Sequence, residues 1–201
     1  MISPLLANLY LHELDQHLSQ HGYRLVRYAD DFVILCDTQS EAQAAFAQVQ
    51  AWMQAHGLQL HAQKSRIGDC RVPGEGFEFL GYRFEAGRRY VRGKSLRAFK
   101  DRVRGHTPRN AGKSLRQVID RLNPLLRGWF GYFKHAHVYI FKQLDGFIRR
   151  RLRVILRSHA RRPGRGVTRQ DHQIWTNAYF AERGLFALSP AHASARQSRC
   201  R

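Results

Sequence analysis

Apolar residues recur near helical spacing at the start of the chain, at Leu6, Leu9, Tyr10, Leu14 and Leu18. Ser3 as N-cap and Pro4 at the first helical position predict the start of that helix, and Gly22 its end. The period then changes. Arg24–Ala29 and Phe32–Cys36 are short runs rich in strand formers, joined by a two-residue acidic step, and they read as a hairpin. "SEAQAAFAQVQAWMQAHG" restores the helical period, with Ala42, Ala45, Phe46, Val49 and Met53 on one face and Gly57 as the stop. "GLQLHAQKSRIG" predicts a short strand and a basic turn. Gly76 to Phe84 predicts a strand with Phe77, Phe79, Gly81 and Arg83 on one side.

From about Arg88 the chain turns basic and Gly-punctuated, which places a boundary near Gly93–Gly112. Helical spacing returns at Leu115, Val118, Ile119 and Leu122, and Pro124 is expected to kink or restart that helix. A further helix turns Phe141, Leu144, Ile148, Leu152 and Ile155 inward and leaves Arg149, Arg150, Arg153 and Arg157 largely outward. The pattern predicts an α+β protein: an antiparallel sheet with helices over residues 1–92, a helical domain over 93–189, and a disordered tail over 190–201.

Charge sharpens this division. The chain has 34 Lys and Arg against 15 Asp and Glu, a net of +19, which points to a polyanionic partner. Residues 1–62 hold only Arg24 and Arg27 against six acids, a net of −4, so the remainder carries +23. Such asymmetry suggests chemistry in the first part and a grip on nucleic acid in the second. No lipidation signal, signal peptide or long apolar run suggests a membrane partner. The three cysteines, Cys36, Cys70 and Cys200, form no CxxC pair, and a cytoplasmic location is the expectation.

The hairpin step holds the candidate chemistry. Asp30 and Asp31 are adjacent between two apolar runs. Neighbouring strand residues face opposite ways, so both carboxylates can serve one site only near a bend. Mg²⁺ takes oxygen ligands, often one or two carboxylates plus substrate phosphates, and a pair of such ions can drive nucleotidyl transfer. An ordinary solvent turn also favours Asp, and by itself the pair does not decide between the two.

The surrounding residues resemble a known family. Tyr28-Ala29-Asp30-Asp31, with a strand-like run on each side, looks like the YxDD palm motif of reverse transcriptases. "ISPLLANLYLHELD" (Ile2–Asp15) resembles the preceding helix in group II intron and related bacterial enzymes. "HAQKSRI" with Lys64 resembles the next palm motif, though that family often has Asn where His61 stands. "FEFLGYRF" resembles the hairpin that grips the primer end, and "SLRQVIDRLNPLLRGWFGYF" (Ser114–Phe133) the maturase-specific thumb, domain X.

The resemblance implies a partial reverse-transcriptase palm followed by an α-helical thumb, and RNA-directed DNA synthesis coupled to intron RNA binding that aids splicing. It implies Asp30 and Asp31 as catalytic Mg²⁺ ligands. Asn8, Tyr28, Ala29, Lys64, Leu80, Gly81 and Tyr82 would lie near nucleotide or primer. A solvated Lys64, a locally bonded Asn8 and a core role for Leu80 are the plain alternatives. Arg116, Arg121, Arg127, Arg149, Arg150, Arg153 and Arg157 are candidates for RNA contact, with a solvated helix face as the alternative. In "LRGWFGYF", Gly128 and Gly131 would permit close packing, and most of the aromatics suit a core.

The pattern also departs from the family. Ile2-Ser3-Pro4-Leu5 normally follows a Gln-Gly-Gly segment, and the palm strand bearing a further aspartate would lie upstream of it. Neither Asp15 nor Asp37 has the context to replace that aspartate. The expectation is therefore a chain inactive as a polymerase by itself, partnered by RNA, a DNA primer or target, and a possible separate N-terminal piece. The rivals are a non-catalytic RNA-binding maturase module and a decayed fragment with an exposed sheet edge.

Overall fold

The computed structural model describes residues 3–109 and 112–197, which form two compact units divided at Gly87 and Arg88. In the first, α1 (Ser3–Gln20) is followed by β1 (Arg24–Tyr28), β2 (Asp31–Leu35) and α2 (Gln39–Ala55). A second hairpin, β3 (Phe77–Phe79) and β4 (Tyr82–Glu85), completes the unit. The strands β1 and β2 pair antiparallel, with Val26 opposite Val33 and Tyr28 opposite Asp31. The core of this unit is built from Leu11, Leu14 and Leu18 of α1 with Val49, Trp52 and Met53 of α2. Leu25, Phe32 and Ile34 of the hairpin pack against it.

The inward face of α1 differs from the expected one. Leu14 and Leu18 are buried as expected, but Leu6, Leu9 and Tyr10 are exposed, and Leu11 is buried instead. The reason is polar. Arg27 projects from the inner face of β1 and draws Asn8 and Asp15 of α1 towards the hairpin, which fixes the helix face carrying residues 8, 11, 15 and 18. On α2 the expected Ala45, Val49 and Met53 are buried and Trp52 joins them. Thr38 caps α2 by accepting from the Glu41 backbone N–H.

Two further expectations change here. Leu58 and Leu60 form no strand, yet both pack against the core. Gly76–Phe84 is two strands rather than one. Leu80 and Gly81 have φ of 47° and 79°, and two left-handed residues in a row turn the chain sharply enough to pair Phe79 with Tyr82.

The second unit opens with β5 (Arg88–Val91) and continues as α3 (Gly93–His106), α4 (Leu115–Phe133) and α5 (Tyr139–His159). Three shorter helices follow: α6 (Arg169–Ile174), α7 (Asn177–Glu182) and α8 (Leu188–Gln197). Ser114 and Gln117 form a reciprocal capping box at the start of α4. The helix runs on through Pro124, so no restart occurs there. Phe99, Leu122, Leu126, Phe141, Leu144, Ile148 and Leu152 are buried in the core of this unit. Trp129 stacks on Phe99 with ring centroids 4.4 Å apart. Gly128 and Gly131 face solvent and make no close approach.

Residues 190–197 are not a frayed tail. They belong to α8, whose Leu188 is fully buried. Asp145, buried on α5, accepts from the backbone N–H groups of Leu188 at 2.8 Å and Ser189 at 2.9 Å. That carboxylate satisfies orphan donors at the start of α8 from outside the helix. The remaining expected tail residues, 198–201, lie outside the described residues. Among the described residues, no helix is long and apolar enough to cross a membrane.

Candidate functional site

The β1–β2 turn is built from Ala29 and Asp30. Ala29 has φ of 55°, a left-handed conformation that costs a residue with a Cβ on the order of 1–2 kcal/mol. Strain of this kind persists only where neighbours hold it. Arg27 is that neighbour, since its Nη1 donates to the Ala29 carbonyl at 2.8 Å.

The rest of the guanidinium is occupied too. Nε donates to Asp15 Oδ1 at 2.7 Å, Nη2 to Asp15 Oδ2 at 2.5 Å, and Nη1 also to Asn8 Oδ1 at 2.9 Å. The side chain of Arg27 is 10% exposed. Hydrogen bonding to Asp15 raises its pKa further above an already high value, against a smaller opposing effect of burial. It is a fixed cation that ties α1 to the turn.

The turn presents Asp30 and Asp31 to solvent, with Tyr28 beside them at 66% exposure. Among the described residues neither carboxylate has a hydrogen-bond or ion-pair partner in the protein. Two free, adjacent carboxylates are the oxygen donors that a hard divalent cation takes. The other acids of the hairpin region are committed elsewhere: Asp15 to Arg27, and Asp37 to Arg24 at 2.7 Å. Among the described residues, no group of three or more His, Cys, Asp and Glu side chains is placed to hold a metal ion.

The other candidates of the first unit lie on separate elements. Asn8 meets the hairpin through Arg27, from which its side-chain carbonyl accepts rather than from a local backbone group. Lys64 is exposed in the turn after His61, and Leu80–Gly81 form the β3–β4 turn with Tyr82 opening β4. Arg27 and Asp15 were not among the sequence candidates. The signal was available: strict alternation along β1 puts Arg27 on the same side as Leu25, and an inward Arg requires a carboxylate.

In the second unit Arg116, Arg121, Arg127 and Arg150 are exposed and Arg149 is half-buried. The Arg127 guanidinium lies over the Phe186 ring at 4.9 Å. The outward placement expected for Arg153 and Arg157 is wrong. Arg153 is 3% exposed and donates through Nε and Nη2 to the Trp175 carbonyl at 3.0 and 2.9 Å. Arg157 donates to Asp171 Oδ1 at 2.6 Å and to the Pro163 carbonyl. Both are drawn inward because the segment after α5 folds back over the helix and offers them acceptors. Burial opposes ionisation of Asp171, yet the Thr168 hydrogen bonds and Arg157 outweigh it and hold its pKa below the usual carboxylate value.

With this geometry in place, comparison with known families locates two domains. The profile of "Reverse transcriptase (RNA-dependent DNA polymerase)" matches residues 1–84, and that of "Group II intron, maturase-specific domain" matches residues 96–174. No curated protein matches the chain. The α+β first unit with its YADD turn is of reverse-transcriptase type, and a maturase-specific helical domain follows it. The chain thus carries a reverse-transcriptase domain followed by a group II intron maturase-specific domain, the order of the C-terminal part of a group II intron reverse transcriptase/maturase.

Proposed function

We propose that the Asp30–Asp31 turn is the carboxylate pair of an RNA-directed DNA polymerase, and that the basic second unit binds intron RNA for splicing. The observation that carries this reading is the pair itself: two unpartnered carboxylates on a hairpin turn clamped by Arg27. Mg²⁺ held by Asp30 and Asp31 would supply charge neutralisation for a primer 3′-hydroxyl and the leaving pyrophosphate. Arg27 keeps the turn, and hence both carboxylates, in one position. Tyr28 offers an exposed ring beside them for the primer terminus or incoming nucleotide, and Lys64 and the Leu80–Tyr82 turn are further contacts to nucleotide and primer. Arg116, Arg121, Arg127, Arg149 and Arg150 provide cations for the RNA backbone.

Since Asp15 and Asp37 are bound to arginines, a further carboxylate comes from another segment, and the chain alone binds RNA without extending a primer. The test is primer extension on an RNA template in Mg²⁺, with RNA affinity measured in parallel. Salt-sensitive RNA binding without synthesis is expected from both the wild type and Asp31→Asn. Adding a separate reverse-transcriptase segment that bears a palm aspartate should restore synthesis to the wild type alone. Synthesis by the unaided wild type would show that the carboxylate set is already complete. Failure to bind RNA would overturn the assignment of the second unit.

A further inference from the structure

A hollow of about 310 Å³ opens beside α5, lined by Arg149, Arg150 and Arg153 together with Gly166, His172 and Asn177. Its cations arise from helical spacing. Residues 146, 149, 150, 153 and 157 follow one stripe of α5, and like charges at this spacing repel. In most proteins such a stripe is dispersed in solvent or matched by acids. Here Arg157 pairs with Asp171, and the segment between α5 and α6 folds over the stripe, so that Arg153 is buried without a carboxylate partner among the described residues.

The fold-back brings Gly166 onto α5. A Cβ there would meet Arg153 Cβ at 2.9 Å, Val154 N at 3.0 Å and the Arg150 carbonyl at 3.1 Å, and φ is +68°. Only glycine closes the hollow on that side. Asp171, whose charge reaches Arg153, is taken by Arg157 and by the Thr168 backbone N–H. Arg153 is buried and held by the Trp175 carbonyl through Nε and Nη2, which leaves Nη1 without an acceptor among the described residues. Arg149 and Arg150 have no carboxylate partner there either. Burial and the neighbouring Arg149 both lower the pKa of Arg153, so this arrangement opposes its own charge.

A buried guanidinium fixed by one carbonyl, flanked by two without a carboxylate partner among the described residues and closed by a glycine, suits a compact anion such as phosphate, whose several oxygens can accept from all three. We propose that this hollow is a single-phosphate site, with Arg153 as its floor and Arg149 and Arg150 as its clasp, and that it holds one backbone phosphate of bound RNA. The RNA part rests on the function proposed above; the phosphate part does not. His172 and Asn177 stand at the rim as further donors, and no base is read here, since phosphate contacts position without specifying sequence.

The experiment uses the full chain in two arms. In the first, the melting temperature is followed as inorganic phosphate replaces chloride at constant ionic strength, for the wild type, Arg149→Gln, Arg150→Gln and the control Arg196→Gln on α8. A saturable rise of about 2–4 °C is expected for the wild type and control, and its loss in the two pocket variants. Equal rises in all four proteins would overturn the site. In the second, RNA affinity is measured against salt. Arg149→Gln should reduce the slope of log Kd on log salt by about one, and Arg196→Gln should leave it unchanged. A phosphate-dependent rise with an unaltered RNA slope would overturn the RNA part and leave a free-phosphate site. If the wild type binds no RNA, the proposed function fails while the first arm still decides the pocket.

Discussion

Arg27 grips Asp15 with two parallel hydrogen bonds, Nε to Oδ1 at 2.7 Å and Nη2 to Oδ2 at 2.5 Å, joining β1 to α1. The same guanidinium reaches the carbonyl of Ala29, the strained residue that precedes Asp30. One side chain thus links the packing of the first unit to the position of its two free carboxylates.

Truncating Arg27 leaves the Asp15 carboxylate, the Asn8 carbonyl and the Ala29 carbonyl without their donor. Arg27→Met should cost about 2–4 kcal/mol, towards the lower end because Asp15 keeps some solvent. Arg27→Lys should recover little, since a point charge cannot reproduce the fork. Urea denaturation checks both, and a double change to Arg27→Met with Asp15→Leu should be milder than Arg27→Met alone.

The Ala29 turn gives a prediction of opposite sign for two substitutions. Ala29→Gly should be neutral or stabilising by up to about 1 kcal/mol, because glycine adopts positive φ without strain. Ala29→Val should destabilise by more than about 1 kcal/mol, since a branched Cβ is the worst occupant of that region. Thermal melts of the two variants side by side decide it. A neutral valine would mean that the turn is not left-handed at residue 29.

Much of this could be read in the sequence, and the misses share a cause. Periodicity located α1, the β1–β2 hairpin, α2, α4 and α5, because each buries a stripe or face of its own. It misjudged the inward face of α1, where Leu6 and Leu9 are as apolar as Leu11, and only the partnership of Arg27 with Asn8 and Asp15 selects between them. Arg153 and Arg157 likewise looked solvent-facing until the segment after α5 supplied the Trp175 carbonyl and Asp171. Nothing local predicts an ordered α8, because Asp145, the residue that organises its start, is 43 positions away from Leu188. Long-range polar contacts leave no local period.

That contact predicts a local weakness. Asp145→Ala removes the acceptor for two backbone donors, at a cost of about 2 kcal/mol. Limited proteolysis should then cleave within residues 188–197 before the rest of the second unit. Simultaneous cleavage of the whole unit would show that α8 is not a separable element.

His192, buried on α8, stacks on Phe141 with centroids 4.6 Å apart. Burial, helped by Arg196 and His137, pushes its pKa below the ordinary histidine value of about 6.5. The unfolded chain therefore takes the proton first. Stability from this residue is full above pH about 6.5 and declines as pH falls towards the lower folded value. Melting temperatures at pH 7.5 and pH 5.5 should differ more for the wild type than for His192→Phe, and equal differences would remove His192 from the account.

The most direct test of the central claim is Mn²⁺ binding followed by electron paramagnetic resonance, comparing the wild type with Asp30→Asn/Asp31→Asn without RNA, with RNA affinity measured separately. The account predicts a bound Mn²⁺ signal in the wild type that the double variant loses, with RNA affinity the same in both. Equal Mn²⁺ binding by the two proteins would contradict it, and would leave the Asp30–Asp31 turn as a solvent turn.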